Sequence, residues 1–214
     1  MKKVLLTGFD PFGGEQINPS WEIAKSLEIK NEQIYIQAVQ LPCVFDKSLE
    51  GLYRAIQQFK PDIVICLGQA GGRSDISIER VAINLNDAAI ADNEGNQPID
   101  TEIIPNAPTA YFSTLPCKAI LKELKQAGIP SSISLSAGSY VCNHTMYGLL
   151  NYLAHNDPNC RGGFIHIPYL PEQGVNHRNT PTMSKELLEK GIMIAIQTCL
   201  NTEQDIFLSD GKIC

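Results

Sequence analysis

Short apolar runs alternate with amphipathic stretches of helix length along this chain, and that alternation sets the expected architecture. The run at 2–6 reads as a buried strand. It opens into Thr7-Gly8-Phe9-Asp10-Pro11-Phe12-Gly13-Gly14, a loop shaped by glycine and proline that still carries two large aromatics. A helix is expected over 19–27, with Asn18 as cap and Pro19 in the first turn. A strand at 34–39 follows, then a helix over 45–59 with Leu49, Leu52, Tyr53 and Ile56 at helical spacing. The apolar strand at 62–67 runs into Gly68-Gln69-Ala70-Gly71-Gly72-Arg73, and 76–84 partly alternates and reads as one extended segment. Residues 87–113 hold Asp87, Asp92, Asn93, Gly95, Pro98, Pro105 and Pro108, which predicts an irregular excursion serving as a rim over a site or a subunit contact. Regular elements then resume: helix 117–126, strand 132–136, helix 143–154, strand 163–167 and a last amphipathic helix over 185–200. Apolar strands separated by helices predict one domain over 1–214, a three-layer α/β/α sandwich around a largely parallel twisted sheet.

Composition narrows the function classes. A formal net charge of -6, with no Lys/Arg cluster and no interleaved aromatics, argues against nucleic-acid binding. The start, Met1-Lys2-Lys3-Val4-Leu5-Leu6, superficially resembles a signal peptide, but the apolar run stops at Thr7-Gly8 and Asp10 follows. No stretch reaches the length of a membrane span. The seven cysteines (Cys43, Cys66, Cys117, Cys142, Cys160, Cys199, Cys214) are odd in number and irregularly spaced, which suits neither a disulfide scaffold nor a metal knuckle. The cytoplasm is the compartment this implies. Four scattered histidines offer no H-E-x-x-H pairing, so no metal is expected.

Sites in open α/β sheets collect beyond the carboxyl ends of strands, and four segments fit that placement: 8–14, 68–73, 137–142 and 166–168. Cys142 falls at the start of the helix expected over 143–154, where unpaired N–H groups lower a thiol pKa; the alternative is a small packing residue. His144 is two residues further along, roughly 200° around the helix, which assigns it a capping or surface role. His155 and His177 read as exposed. His166, on an apolar strand ending at Pro168, is either a buried structural histidine or a base for Cys142, the latter if its strand neighbours the one before Cys142. Glu79 could orient that imidazole or form an ion pair with Arg73 or Arg161; Arg80 would face away from it on a regular strand. The loop 68–72 could cradle an anion, but it matches neither a P-loop nor G-x-G-x-x-G. A phosphate- or nucleoside-handling enzyme using Arg73 and a non-catalytic binder are the rival classes.

Four stretches in order, 7–14, 67–84, SAGSYVCNH at 136–144 and GFIHIP at 163–168, closely resemble the pyroglutamyl peptidase type I family of cysteine peptidases over nearly the whole length. The resemblance implies a Glu79, Cys142, His166 triad that hydrolyses the amide after an N-terminal pyroglutamyl residue, without metal or cofactor. It implies that Phe9 and Phe12 pack on the lactam ring, that backbone groups near Gln69 read its polar edge, and that Phe45, Tyr140 and Val141 complete the pocket region. N-terminally pyroglutamylated peptides would be the partners, and a homo-oligomer, a tetramer in bacterial relatives, the assembly. Two positions depart from the family pattern: Tyr140 stands where relatives more often carry Phe, and Ala89 where many carry an Arg held to act near the scissile carbonyl.

Overall fold

The computed structural model describes residues 1–211, so Cys214 lies outside the described residues. The chain runs β1 (Lys2–Phe9), α1 (Pro19–Ser26), β2 (Ile29–Lys30), β3 (Ile34–Leu41), α2 (Lys47–Phe59), β4 (Ile63–Gln69), β5 (Ile76–Glu79), β6 (Val81–Ile83) and β7 (Ala110–Phe112). It continues through α3 (Cys117–Gln126), β8 (Ser131–Ser134), α4 (Val141–Asn156), β9 (Arg161–Ile167), α5 (Pro171–Gly174) and α6 (Lys185–Asn201). Seven strands form one sheet in the order β2-β3-β1-β4-β9-β5-β8. The four central strands are parallel; β5 pairs antiparallel with β9 and parallel with β8, and β2 is antiparallel to β3.

Both faces of the sheet are covered, which is why its central strands read as continuous apolar runs. Val4, Leu6, Ile63, Ile65, Leu67, Ile165 and Ile167 share one core with residues of α1, α3 and α6. The alternate positions Leu5, Phe9, Val64, Cys66 and Phe164 face a second core with α2 and α4. Each fully buried Leu, Ile or Val contributes about 1.5–3 kcal/mol. Helix starts are set locally: Asn18 Oδ1 accepts from Ser20 N at 3.1 Å with Pro19 next, and Ser184 Oγ accepts from Leu187 N at 3.3 Å.

The sheet has a switch point between β1 and β4. From β1 the chain passes through α1 to β3 on one side, and α2 returns it to β4 on the other. The β1–β4 ladder ends at Thr7↔Cys66, although the strands run on to Phe9 and Gln69. Phe9 N–H donates instead to Ser20 Oγ at 2.9 Å and Asp10 N–H to Leu41 O at 2.9 Å. The carboxyl ends therefore splay into a notch, the place where open α/β sheets bind ligands.

Two expectations change and a third is refined. The extended segment 76–84 is two strands: β5 ends at Glu79, and β6 turns out of the main sheet to pair with β7. The strand before Cys142 is not a neighbour of the His166 strand, because β5 lies between β8 and β9. The excursion is irregular but tied down: Asp92 carboxylate oxygens accept from Phe45 N, Glu94 N and Asn96 N, and Asn84 Oδ1 accepts from Ile103 N and Ile104 N. The short elements β2 and α5 carry too little periodicity to be seen in sequence.

Candidate active site

Cys142 occupies the first turn of α4, one residue inside its start. That helix packs on β4 and β9, and the sulfur hangs over Gly68: a Cβ there would meet the Phe164 ring at 2.6 Å and Cys142 Sγ at 3.0 Å. Gly68 is the register partner of His166 on the adjacent parallel strand, so Cys142 and His166 come together on one face of the sheet. The route is across β4, not across β8, and Gly68 is what allows the close approach. On the far side of His166, Glu79 Oε1 lies 2.7 Å from Nδ1. Three elements distant in sequence thus align thiol, imidazole and carboxylate.

Both alternatives for Glu79 hold at once. Its Oε1 also accepts from Arg73 Nη1 at 2.6 Å, while Arg73 Nη2 donates to Ser136 O at 3.2 Å. Arg161 is committed elsewhere, to Thr202 O and Cys199 O. Among the described residues no hydrogen bond of good geometry reaches Glu79 Oε2; the hydroxyl of Ser134, its register neighbour in β8, lies close to Glu79 and bonds Ser136 O at 3.1 Å. Burial would raise the Glu79 carboxyl, but the hydrogen bond and charge of His166, with Ser134 and Arg73 assisting, hold it below its ordinary value. An ionised carboxylate only accepts, so Nδ1 carries the proton in this bond, and Nε2 is the ring nitrogen left to exchange one.

The thiol corrects one expectation. Burial pushes Cys142 well above its ordinary value, with Cys43 and Glu79 adding to the rise and Arg73 opposing it. The unpaired N–H groups at the helix start act the other way. A thiol in this setting would need a neighbouring base to take its proton before it could attack. The first N–H groups of α4 precede the first intrahelical donor, His144 N to Tyr140 O, and the Tyr140 side chain makes no cap bond to them. They are donors available to a developing anion.

The aromatic candidates form one wall. Tyr140 meets Phe45 edge-on at 5.4 Å between centroids and Phe12 at 6.1 Å, and Phe9 reaches Phe164 at 6.3 Å, which reaches His166 at 4.8 Å. The Tyr140 hydroxyl donates to Ala91 O at 3.1 Å. Val141 is fully buried in the α2/α4 core and supports this wall from behind. The Gln69 side chain follows Leu67 in alternation, away from the Cys142 face, so only its main chain is placed for contact there. A 560 Å³ groove between α3 and α6 holds none of these residues.

His144 is not a surface residue. It is buried, its Nε2 accepts from Asp46 N at 3.1 Å, and Nδ1 faces Asn86 Oδ1 at 2.9 Å. A backbone amide only donates, so the ring is the neutral Nδ1–H tautomer, and the 3.6 Å approach of Asp46 Oδ1 is no ion pair. His155 is exposed, whereas His177 is half-buried, paired with Glu15 and stacked on Tyr169. Sequence reasoning also missed Asn143, whose side chain bonds Ile83 N, Ile83 O and Leu85 O and fastens β6 to α4. Nothing in local periodicity marks such a long-range tie.

A family model described as pyroglutamyl peptidase matches residues 2–202. The chain is 58% identical over 214 residues to the pyrrolidone-carboxylate peptidase of Brevibacillus brevis, covering 100% of each. It is 56% identical over 219 residues to pyrrolidone-carboxylate peptidase 1 of Photorhabdus laumondii, covering 99% of each. Among solved structures, the pyroglutamyl peptidase I from Bacillus amyloliquefaciens matches with a TM-score of 0.94 at 51% identity, over 97% of this chain and 99% of that one.

Proposed function

The chain belongs to the pyroglutamyl peptidase family, and from that premise we propose how its residues divide the work of a cysteine peptidase that removes N-terminal pyroglutamate from peptides. Cys142 is the nucleophile, His166 the general base and then acid, and Glu79 the residue that orients and charges His166. The observation that carries this is the 2.7 Å Glu79–His166 contact beside a sulfur seated over Gly68. Cys142 Sγ gives its proton to His166 Nε2 and attacks the pyroglutamyl carbonyl. The carbonyl oxygen takes the negative charge, held by main-chain N–H groups at the start of α4. His166 returns the proton to the leaving amine, the C–N bond breaks, and water deacylates the enzyme by the reverse path.

Phe9, Phe12, Phe45 and Tyr140 form the apolar side of the pocket with Val141 behind them, and the main chain at Gln69 reads the lactam N–H and carbonyl at the notch. Such a site holds an uncharged ring well. A glutamyl residue would lose hydration of both its ammonium and its carboxylate without dedicated partners. The six described cysteines are free thiols, which supports a reducing, cytoplasmic setting. Exposed Ile90, Ile99 and Phe112 on the excursion support its use as the contact surface of a homo-oligomer, a tetramer in this reading. The deciding experiment is hydrolysis of pyroglutamyl-coumarin amide beside the prolyl and glutamyl amides. Strong preference for the first is expected; comparable kcat/KM for pyroglutamyl and glutamyl amides would overturn the pocket assignment.

A further inference from the structure

The chemistry above uses neither Gln173 nor Glu15, yet buried Gln173 and half-buried Glu15 belong to a polar chain that reaches the end of β4 beside the pocket. Gln173 is 3% exposed, in the short helix α5 just beyond the His166 strand. Its Oε1 accepts from Leu170 N at 3.2 Å. Because a backbone N–H only donates, this bond fixes which end of the amide points where. The Nε2 end then donates twice, to Gln69 Oε1 at 3.0 Å and to Glu15 Oε2 at 3.0 Å. Glu15 Oε1 in turn pairs with His177 Nε2 at 2.6 Å, and His177 stacks on Tyr169 at 4.9 Å. Tyr169 presses so closely on the 68–73 loop that a Cβ at Gly71 would lie 2.5 Å from its hydroxyl.

This chain joins the two sides of the notch. Gln69 ends β4; Glu15 closes the loop that carries Phe12, whose other end is already held at Phe9 N by Ser20 Oγ and at Asp10 O by Asn18 Nδ2. The β1–β4 ladder stops at Thr7↔Cys66, so no backbone pairing sets the spacing of these two walls. We propose that Gln173 is a positioning residue for substrate, a clamp that sets the distance between the Gln69 main chain and the Phe9–Phe12 loop. The inference rests on the lactam pocket assigned above. Burial would raise the Glu15 carboxyl, but the hydrogen bonds of Gln173 and His177 outweigh it and hold it below its ordinary value, so the clamp closes on a carboxylate. Since Gln173 touches neither Cys142 nor His166, its loss acts on the fit of the ring and not on the reacting groups.

The test is Gln173→Met, which keeps length and removes every hydrogen bond. Expected are a rise of about ten-fold in KM for the pyroglutamyl amide and in the inhibition constant of free 5-oxoproline, the scale of a lost charge-assisted hydrogen bond. Both kcat and the rate of Cys142 alkylation by iodoacetamide should stay within about two-fold, a split that a merely structural role would not produce. Glu15→Leu should reproduce the KM rise, while Glu15→Gln, which keeps an acceptor for Gln173, should recover most of it. If Gln173→Met does not fold, the Glu15 pair decides. Unchanged KM in Glu15→Leu, or kcat and alkylation falling together with KM, overturns the clamp. A wild-type protein that neither cleaves the pyroglutamyl amide nor binds 5-oxoproline overturns the pocket reading and this inference with it; an active wild type with indifferent variants overturns the clamp alone.

Discussion

The two faces of the sheet are built from the same strands and differ in kind. Toward α1, α3 and α6 the buried side chains are almost all aliphatic, with Val4, Leu6, Ile65, Leu67, Ile165, Ile192 and Ile196 in one cluster and no buried ring. Toward α2 and α4 the cluster takes Phe9, Phe45, Phe59, Tyr147 and Phe164, and buried Glu79, His144 and His166 join that side. A charged or polar group is costly there unless bonded, and nearly every one has a named partner. The comparison shows where stability and chemistry are separated. One face is a plain apolar core; the other also carries polar groups that are bonded.

The sharpest way to break that separation is to strike both faces. Cys142→Ser and His166→Ala should keep the fold and lose activity by about 1,000-fold or more, as removal of a nucleophile or base does in comparable triads. Glu79→Gln should lose less, because Arg73 and the strand still hold the site, and should leave 5-oxoproline binding intact. Ile192→Val on the aliphatic face should cost about 1 kcal/mol of stability with kcat unchanged. Circular dichroism, denaturant midpoints and kcat/KM measured together decide it. Full activity in a folded Cys142→Ser protein would sink the mechanism, and a kcat defect in Ile192→Val would sink the separation of faces.

Most of the aliphatic face was legible in sequence, because its strands and helices carry long-range order in local periodicity: 117–126 and 185–200 were read within a residue of α3 and α6. Cys142, His166 and Glu79 were nameable from residue type and setting. Their meeting was not, since it depends on β5 lying between β8 and β9 and on Gly68 admitting the sulfur. His144 was misplaced for a related reason. A helix-face argument excludes a partner for Cys142 correctly, but it cannot say that the other face of α4 is covered by the Asp46 turn and Asn86.

His144 offers a second, smaller test, in pH. Burial pushes its imidazole down from 6.5 to about 4, with Asp46 opposing. The folded value lies below the unfolded one, so the unfolded chain binds more protons between them. The contribution is complete above about 6.5 and is lost as pH falls toward 4, in all on the order of 3 kcal/mol. Glu79, also lowered, adds its loss further down, as pH falls below the ordinary 4.5 through its folded value. His144→Gln can keep both hydrogen bonds and should flatten the stability curve between pH 6.5 and 4, whereas Ile192→Val should shift it without changing slope. An unaltered slope in His144→Gln would show that this histidine is not held neutral.

The smallest effect is expected at Ala89, where the family resemblance implies an arginine in many members. Ala89 is exposed, on a segment fastened to the start of α4: Asp87 N donates to Ser139 O at 3.0 Å, Ser139 Oγ to Asp87 O at 2.7 Å, and Tyr140 OH to Ala91 O at 3.1 Å. Position 89 is thus held close in the chain to the start of α4, and alanine supplies no side-chain donor there. Arg73 does not substitute, since its guanidinium is committed to Glu79 and Ser136 O. That leaves the uncapped main-chain N–H groups of α4, already oriented before charge develops. Losing one oxyanion donor costs roughly 3 kcal/mol when nothing replaces it. If the helix start suffices, Ala89→Arg should change kcat by less than about ten-fold, well under the roughly 100-fold that a missing donor would return. The contrast with Arg73→Ala sharpens it, because that change strips a partner from Glu79 and should lower kcat through His166. A hundred-fold gain in kcat for Ala89→Arg, with fold and assembly unchanged, would show that backbone donors alone leave this site short of one.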